Sequence, residues 1–330
     1  MKRLLLMIFT VILSVSFFQI PVNASEGETA YVNVSAATLW TEPDILREVD
    51  LPSALYPVDM RKWTSSMTLA DKLQLSDDGM LETQALYGNK VTILERKGDW
   101  VKVAVKGQST PRNELGYPGW MPAKQLTYSR AFAYHEDKPF VLVTKPTAYL
   151  KGKQKLEISY NTRLPFLKET KKAYRVMTPD GKKAWISKDD ASAYSSEKDM
   201  PKPTGADLVN TGKMFLGLPY LWAGMSGFGF DCSGFTFTLH QAHGISIPRD
   251  SSVQARSGIP VKAEELQPGD LMFYAYDQGK GKVHHVSMYA GNGMMIHSPN
   301  SERTVEIIPV TTKGYAEEFA GARRYINQAL

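Results

Sequence analysis

The sequence predicts an α+β protein in which a β-rich N-terminal part precedes a smaller mixed domain. Residues 90–95 and 100–105 alternate between apolar and polar side chains, and residues 140–194 have a shorter version of the same sequence pattern. A helical segment over residues 233–243 is followed by a strand, a glycine-rich turn and a return strand over residues 283–298. The 330 residues suffice for two or three such units.

The first 24 residues have the three parts of a secretory signal peptide. Lys2 and Arg3 supply positive charge, residues 4–20 are apolar, and small residues precede a predicted cleavage after Ala24. The alternative is a retained membrane anchor, which is disfavoured because residues 4–20 are at the short limit for a span and include serine, threonine and glutamine. We therefore expect a secreted mature protein.

The charge of the chain indicates anionic surroundings. The formal net charge is +5 at pH 7, and the isoelectric point is near 9.0. Nucleic acid is disfavoured as a partner because no stretch concentrates arginine with interleaved aromatic residues. An anionic cell wall or membrane surface fits the charge equally well.

Residues 25–128 and 129–195 are predicted to be two copies of one small β-barrel. Both have a strand, a turn, an aromatic-x-Val strand, a second turn and a small-Trp-aliphatic strand. Residues 43–81 interrupt the first copy with a more helical pattern, which predicts an insertion. Both copies resemble bacterial SH3-like (SH3b) domains. Most of three tryptophans are predicted to lie in the barrel cores: Trp100, Trp120 and Trp185.

A polar linker over residues 196–204 separates these barrels from a last domain, residues 205–330. That domain holds Cys232, the only cysteine of the chain, which therefore cannot form an intramolecular disulfide. It is either a small buried hydrophobe or a reactive thiol. Asp231 is a good N-cap for the helix that follows, and a helix N-terminus favours a thiolate and offers N–H groups to an oxyanion. The sequence favours a nucleophile.

The predicted hairpin supplies a base for this thiol. Alternation along the strand places His284 with core-facing residues and His285 on the opposite face, so His285 is the candidate base and His284 a packing residue. A two-residue turn would put His297 on the face opposite His285, whereas a three-residue Gly-Asn-Gly turn pairs His297 with Ser287. We therefore predict the three-residue turn, with His297 orienting His285.

Metal binding is the rival interpretation of these residues, because one cysteine and two histidines could hold zinc. The sequence has no Cys-x-x-Cys or His-Glu-x-x-His spacing, and the thiol and imidazoles lie on separate elements. We expect neither a metal nor another cofactor.

Six motifs over residues 205–326 occur in the order found in NlpC/P60 cysteine peptidases, and the domain resembles that family. They are LPYLWAG at 218–224, DCSGF at 231–235, PRDSSVQ at 248–254, LQPGDL at 266–271, HV at 285–286 and IH at 296–297. The sequence departs from the family at Ala223, where glycine is usual.

The resemblance implies a papain-like α+β fold, with a helix-borne Cys232 packed on an antiparallel sheet. It also implies hydrolysis of peptidoglycan stem peptides at the bond from γ-D-glutamate to a diamino acid. Cys232 would be the nucleophile, His285 the general base and His297 the residue that orients it. The Cys232 backbone N–H and the Tyr220 hydroxyl would stabilise the oxyanion.

Two SH3-like modules before the peptidase resemble the YkfC-like branch of the family, in which the first module walls the cleft and restricts substrates to peptides with a free N-terminal L-Ala. That resemblance implies a larger set of substrate contacts: Glu82, Tyr117, Trp222, Asp231, Ser233 and Ser251. A carboxylate such as Glu82 suits an ammonium group, although an ordinary solvated charge is an equal alternative. Arg249 and Asp250 are interpreted either as a structural ion pair or as substrate contacts.

Several functional alternatives stay open on sequence alone. The protein could attach to the wall through its SH3-like modules and either act on intact peptidoglycan as an autolysin or be only a weak or inactive enzyme. An acyltransferase or amidase could use the same fold. The leaving diamino acid could be meso-diaminopimelate or L-Lys. We expect a wall-associated monomer.

Overall fold

The computed structural model describes residues 27–136, 138–153 and 155–326. The predicted signal peptide and its cleavage site lie outside the described residues. Within the described ranges, no helix combines the length and apolarity needed to cross a membrane.

The first module is a seven-stranded antiparallel sheet in the order β3-β2-β6-β5-β4-β1-β7. Three helices are inserted between β2 and β3: Leu51–Ala54 (α1), Met60–Ser66 (α2) and Leu69–Asp77 (α3). The strands are Thr29–Val32 (β1), Ala36–Trp40 (β2), Leu81–Leu86 (β3), Lys90–Lys97 (β4), Trp100–Val105 (β5), Tyr117–Pro122 (β6) and Leu126–Thr127 (β7).

The second module follows the short helix Arg130–Tyr134 (α4) and repeats the first topology. Its strand order, β10-β9-β13-β12-β11-β8-β14, is that of the first module with each number raised by seven. This repeat confirms the predicted pair of SH3-like barrels. The strands are Phe140–Val143 (β8), Thr147–Lys151 (β9), Lys155–Ser159 (β10), Arg163–Glu169 (β11), Ala173–Met177 (β12), Lys183–Ser187 (β13) and Ala191–Tyr194 (β14).

The third part is the predicted α+β domain. Helices Gly205–Lys213 (α5), Cys232–Ala242 (α6) and Ser251–Gln254 (α7) accompany a six-stranded antiparallel sheet in the order β17-β22-β18-β19-β20-β21. Its strands, with the small β15–β16 hairpin, are Met225–Ser226 (β15), Gly229–Phe230 (β16), Ile259–Val261 (β17), Leu271–Ala275 (β18), Val283–Gly291 (β19), Met294–His297 (β20), Glu306–Pro309 (β21) and Phe319–Arg324 (β22).

Short helical turns connect several of these elements. One, Tyr276–Gly279, has positive φ at Asp277 and Gln278 and is a left-handed turn. The 3₁₀ turns are Glu48–Asp50, Ala123–Gln125, Glu197–Asp199 and Ala263–Glu265.

Helix α6 packs on the middle of the third sheet. Phe235 and Leu239 of the helix are fully buried, and they share one apolar cluster with Val286, Met288 and Ile296 of β19 and β20. Burying a side chain of this size contributes about 1.5–3 kcal/mol. The helix that begins with the cysteine is therefore fixed against the strands that carry the two histidines.

The tryptophans do not all lie in the barrel cores. Trp100 and Trp120 are buried, but they pack with the inserted helices and the cysteine loop, and not with barrel-interior residues such as Val101. Trp185 is half-buried, and its ring lies beneath the side chains of Lys168 and Arg175. The prediction that most of the three tryptophans are barrel-core residues is therefore wrong. Its strand neighbours Ala184 and Ile186 face the core, and strand alternation turns Trp185 outward.

Both modules hold the glycine-rich loop that leads to the cysteine. The Gln84 side-chain oxygen accepts hydrogen bonds from the Met225 N–H and the Ser226 hydroxyl, each at 3.0 Å. The Ser159 hydroxyl of the second module accepts from the Gly227 N–H at 2.8 Å. A side chain at Gly227 would place its Cβ 2.0 Å from the Pro146 carbonyl oxygen, so the approach requires glycine.

Candidate active site

Cys232 is the first residue of α6 and is 8% exposed. Asp231 caps the helix, because its side chain accepts a hydrogen bond from the Gly234 N–H. A Cβ at Gly234 would lie 2.1 Å from the Gly224 carbonyl oxygen, so glycine lets the loop pass this close to the first helical turn. The sulfur therefore lies at the start of the helix, where the backbone N–H groups of the first turn have no hydrogen-bond partner within the helix.

The two histidines meet across the β19–β20 hairpin. His285 Nε2 lies 2.8 Å from His297 Nδ1. Met288 pairs with Ile296, which brings His297 opposite Ser287, on the face of the sheet that carries His285. Residues on one face of neighbouring strands are close enough for their side chains to touch.

The turn that produces this register differs from the predicted one. Gly291 pairs with Met294, so the turn has two residues, Asn292 and Gly293, both with positive φ. The prediction of a three-residue turn is wrong, but Ala290 is left unpaired as a β-bulge. With the additional residue Ala290, His297 lies on the same face of the sheet as His285; a two-residue turn without the bulge would place it on the opposite face.

His284 is not core-facing as alternation predicts. Tyr274 pairs with His285 and Ala275 with Val283, so His284 is the additional residue of a second bulge. Its ring stacks on Tyr276 with centroids 4.3 Å apart. Its Nε2 lies 3.0 Å from a carboxylate oxygen of Glu318.

Tyr315 covers the histidine pair and was not found from the sequence. Its ring centroid lies 5.4 Å from that of His285 and 5.0 Å from that of His297. Burial raises the pKa of Tyr315 to about 12, and the nearby Cys232 contributes in the same direction. Tyr315 belongs to the segment between β21 and β22, where no motif or periodicity marks it.

Arg249 is a second site residue whose contacts sequence reasoning missed. It is 1% exposed and donates to both Asp231 oxygens, at 2.7 and 3.2 Å, and to the Ser233 hydroxyl at 2.9 Å. Its Nε donates to Thr83 Oγ1 of the first module at 3.1 Å. The interpretation of Arg249 and Asp250 as an ion pair is wrong, because Arg249 pairs with Asp231.

Glu82 and Tyr117 form a polar cluster at the edge of the first module. A Glu82 oxygen accepts from Arg112 Nη2 at 2.7 Å, and the Arg112 guanidinium lies 5.3 Å from the centroid of the Tyr117 ring. The Tyr117 hydroxyl donates to Asp250 Oδ1 at 3.0 Å. Because Asp250 follows Arg249 in the chain, this cluster is continuous with the contacts around the cysteine.

The other predicted site residues surround the loop on either side of Cys232. Tyr220 is buried, pairs with Phe230 in a parallel bridge, and its hydroxyl has no hydrogen-bond partner among the described residues. Trp222 is 36% exposed. Ser233 is buried beside Arg249, and Ser251 is half-buried at the start of α7.

The backbone conformation of Ala223 shows why glycine would suit position 223. Ala223 is buried and has φ of 58°, in the left-handed region that L residues adopt at a cost of about 1–2 kcal/mol.

Burial dominates the electrostatics of the thiol and the imidazoles. It raises the pKa of Cys232 to about 12, and the Asp231 carboxylate acts in the same direction. Burial lowers the pKa of His285 well below its ordinary value and that of His297 to about 3, the latter with help from the Arg303 charge. Burial therefore opposes the thiolate stabilisation that is predicted for the helix N-terminus, and it favours the neutral forms of Cys232 and His285.

No group of three or more histidine, cysteine or acidic side chains within the described ranges could hold a metal ion.

Alkylation by iodoacetamide tests the neutral thiol directly, since Cys232 is the only cysteine. We expect the rate to rise about tenfold per pH unit up to pH 9 without a plateau, because only the thiolate reacts. The urea-unfolded chain is the control, and its rate should level off near the ordinary thiol pKa of about 8.5. A plateau below pH 7 in the folded protein would show a thiolate–imidazolium pair instead.

The Arg249→Met variant tests the buried ion pair. Removing the cation leaves the Asp231 carboxylate buried without its partner, so we expect the free energy of unfolding to fall by about 3–5 kcal/mol. Urea unfolding measures the change, with the exposed Arg256→Met as the matched control. Adding Asp231→Asn should return part of the loss; a loss below about 1 kcal/mol in the single variant would contradict the account.

Comparison with known proteins agrees with this geometry. Residues 217–324 match the NlpC/P60 family, residues 143–194 the YKFC SH3b2 domain, and residues 75–126 the bacterial dipeptidyl-peptidase Sh3 domain. A gamma-D-glutamyl-L-lysine dipeptidyl-peptidase of Bacillus cereus is 61% identical over 94% of this chain and 95% of that protein. A protein with the same description from Bacillus subtilis is 38% identical over 89% and 98%.

A solved structure shows the same arrangement of domains. The crystal structure of an NlpC/P60 family protein from Bacillus cereus has a TM-score of 0.90 and 62% identity, covering 91% of this chain and all of that one. The chain therefore belongs to the NlpC/P60 family of cysteine peptidases, with two SH3b modules before its catalytic domain.

Proposed function

We propose that this peptidase hydrolyses the bond from γ-D-glutamate to a diamino acid in peptidoglycan stem peptides that begin with a free L-Ala. The observation that carries the proposal is the contact between the first module and the catalytic domain. Glu82, Arg112 and Tyr117 reach the cysteine loop through Asp250, Arg249 and Asp231. A cleft that the first module closes on this side suits a peptide whose N-terminus lies at that wall.

The reaction is an acyl transfer through Cys232. The sulfur attacks the γ-carbonyl carbon of D-Glu while His285 takes the thiol proton. The oxyanion is stabilised by the Cys232 N–H and the Tyr220 hydroxyl, which stays protonated because burial raises its pKa well above 10. His285 returns the proton to the leaving amine, and water then hydrolyses the thioester to release L-Ala-γ-D-Glu.

Glu82 is the proposed acceptor for the ammonium group of L-Ala. Its side chain is 15% exposed and already pairs with Arg112, whose side chain is 44% exposed. The more exposed guanidinium can move toward solvent when the substrate ammonium arrives, while the carboxylate stays enclosed. An N-acetylated substrate would have no ammonium group to pair with Glu82, and its acetyl group would clash with the first module.

The remaining contacts give the substrate its other boundaries. Trp222 offers an exposed aromatic face, and Ser251 a hydroxyl at the start of α7. Asp231 and Ser233 are both held by Arg249, so they present a fixed polar surface beside the sulfur. The names of the two relatives support L-Lys as the leaving diamino acid.

Export and wall association complete the proposal. Residues 1–24 support a cleaved signal peptide, and the net charge of +5 supports an anionic wall as the surroundings. The modules pack on the cysteine loop through Gln84 and Ser159, which supports a role in shaping the cleft. We propose a monomer.

A peptide panel tests the proposed function. L-Ala-γ-D-Glu-L-Lys, its meso-diaminopimelate counterpart, the N-acetylated form and purified sacculi are incubated with the protein and followed by mass spectrometry. We expect release of L-Ala-γ-D-Glu from the free-amine peptides only, with a loss of about 10³-fold or more in Cys232→Ala. Lysis of sacculi without cleavage of the tripeptides would reject the proposal, and binding to sacculi without any cleavage would favour a wall-attachment protein.

The Glu82→Gln variant tests recognition of the ammonium group. Loss of one charge-assisted hydrogen bond should lower kcat/KM for the free-amine peptide by about 10- to 100-fold. The N-acetylated peptide should stay uncleaved by the variant, as by the parent. Glu48→Gln, at an exposed glutamate of the same module, is the matched control. An unchanged kcat/KM would mean that Glu82 serves only to hold Arg112.

A further inference from the structure

We infer that Glu306 is a positioning residue that fixes the proton arrangement of both histidines, and so the direction in which His285 acts as a base. This inference rests on the proposed function, in which His285 takes the proton of Cys232. Glu306 belongs to none of the six motifs and to no predicted site.

The contacts of Glu306 continue the line of hydrogen bonds that begins at His285. Its Oε1 lies 3.1 Å from His297 Nε2, and the other nitrogen of that ring lies 2.8 Å from His285 Nε2. Both imidazoles are enclosed, His297 completely and His285 to within 5%. Three residues from three strands therefore form one chain of short contacts.

The sheet itself determines this placement. Glu306 is the first residue of β21 and pairs directly with His297 of β20. Directly opposed residues have Cβ atoms about 4.5–5.5 Å apart, which suits an imidazole and a carboxylate in contact. The carboxylate is thus held by strand register and not by a flexible loop.

An ionised carboxylate can only accept hydrogen bonds, and this decides where each proton lies. His297 must carry its proton on Nε2 to donate to Glu306, which leaves its Nδ1 as an acceptor. His285 must then carry its proton on Nε2 to donate to His297. The one ring nitrogen left with a lone pair is His285 Nδ1, which is the atom that can take the proton of Cys232.

Arg303 forms an ion pair with Glu306 on the side away from the histidines. Its guanidinium lies 2.7 Å from Oε2, the carboxylate oxygen that does not face His297. The Glu306 side chain is 20% exposed and that of Arg303 is 42% exposed. Glu306 is therefore the less exposed member of the ion pair. Its negative charge favours a protonated imidazole, whereas the positive charge of Arg303 disfavours it.

Other charged or titratable groups also face the two imidazoles and must be considered in any pH dependence. Tyr274 of β18 and Tyr315 of the segment before β22 lie against the His285 ring. His284 precedes His285 in β19 and pairs with Glu318, and Cys232 begins α6. None of these contacts His297 Nε2, so Glu306 is the described group that sets its proton.

The Glu306→Gln variant tests the inference kinetically. Glutamine keeps the shape but can turn its NH₂ toward His297, which would reverse the chain and place a proton on His285 Nδ1. We expect kcat for L-Ala-γ-D-Glu-L-Lys to fall about 10- to 100-fold with little change in KM, and Glu306→Asp to recover part of the loss. Glu302→Gln, at an exposed neighbouring glutamate, is the control that should leave both constants unchanged.

The acid limb of kcat/KM gives a second readout that a merely structural role would not move. Loss of the Glu306 charge should shift this limb to lower pH, because protonated imidazole loses a stabilising anion. Arg303→Met should shift it to higher pH, because the same anion is no longer neutralised. Limbs that move together, or not at all, would overturn the inference.

Nitrogen-15 chemical shifts of the imidazoles test the proton positions without any catalysis. In the Cys232→Ala background we expect both His285 and His297 to carry Nε2–H, and Glu306→Gln to introduce Nδ1–H on His297. Nδ1–H in the parent, or no change in the variant, would overturn the inference; if Glu306→Gln does not fold, the parent spectrum and Arg303→Met decide. Failure of every peptide to be cleaved, with the expected tautomers present, would instead overturn the proposed function alone.

Discussion

The buried pair of Arg249 and Asp231 is the interaction on which the rest of the site depends. Asp231 caps the helix that begins with the nucleophile, so the cation that neutralises it also sets the position of the sulfur. The same guanidinium reaches Ser233 and, through Thr83, the first SH3b module. An unpaired carboxylate at this depth would be strongly unfavourable. The catalytic domain is therefore assembled around a charge that the first module helps to enclose.

Enclosure also explains the chemistry. Burial disfavours both a free thiolate and a free imidazolium, so it favours neutral Cys232 and His285 before the substrate is attacked. A neutral pair needs a base with its lone pair already in place. The hydrogen bond between Glu306 and His297 fixes where that lone pair lies, and Tyr315 covers the two imidazoles. Preorganisation replaces prior ionisation in this account.

Much of the fold could be predicted from sequence because it depends on local pattern. Strand alternation and repetition predicted the barrels, and the lone thiol with its N-cap and the two histidines predicted the centre. What failed depends on detail beyond a strand: the bulge at Ala290 made a two-residue turn behave like a three-residue one, and the bulge at His284 broke its alternation. The partner of Arg249, the cover by Tyr315 and the contact of Glu306 each join two different elements, and the periodicity within one element carries no signal of such a contact.

Trapping the acyl-enzyme is the most direct test of the central claim, that Cys232 transfers the dipeptidyl group. Rapid acid quenching of the protein with L-Ala-γ-D-Glu-L-Lys, followed by peptide mapping, reports which residue carries the substrate. The account predicts an L-Ala-γ-D-Glu thioester on the peptide that contains Cys232, and none with the N-acetylated substrate. Turnover with the adduct on another residue, or turnover with Cys232 alkylated, would contradict it.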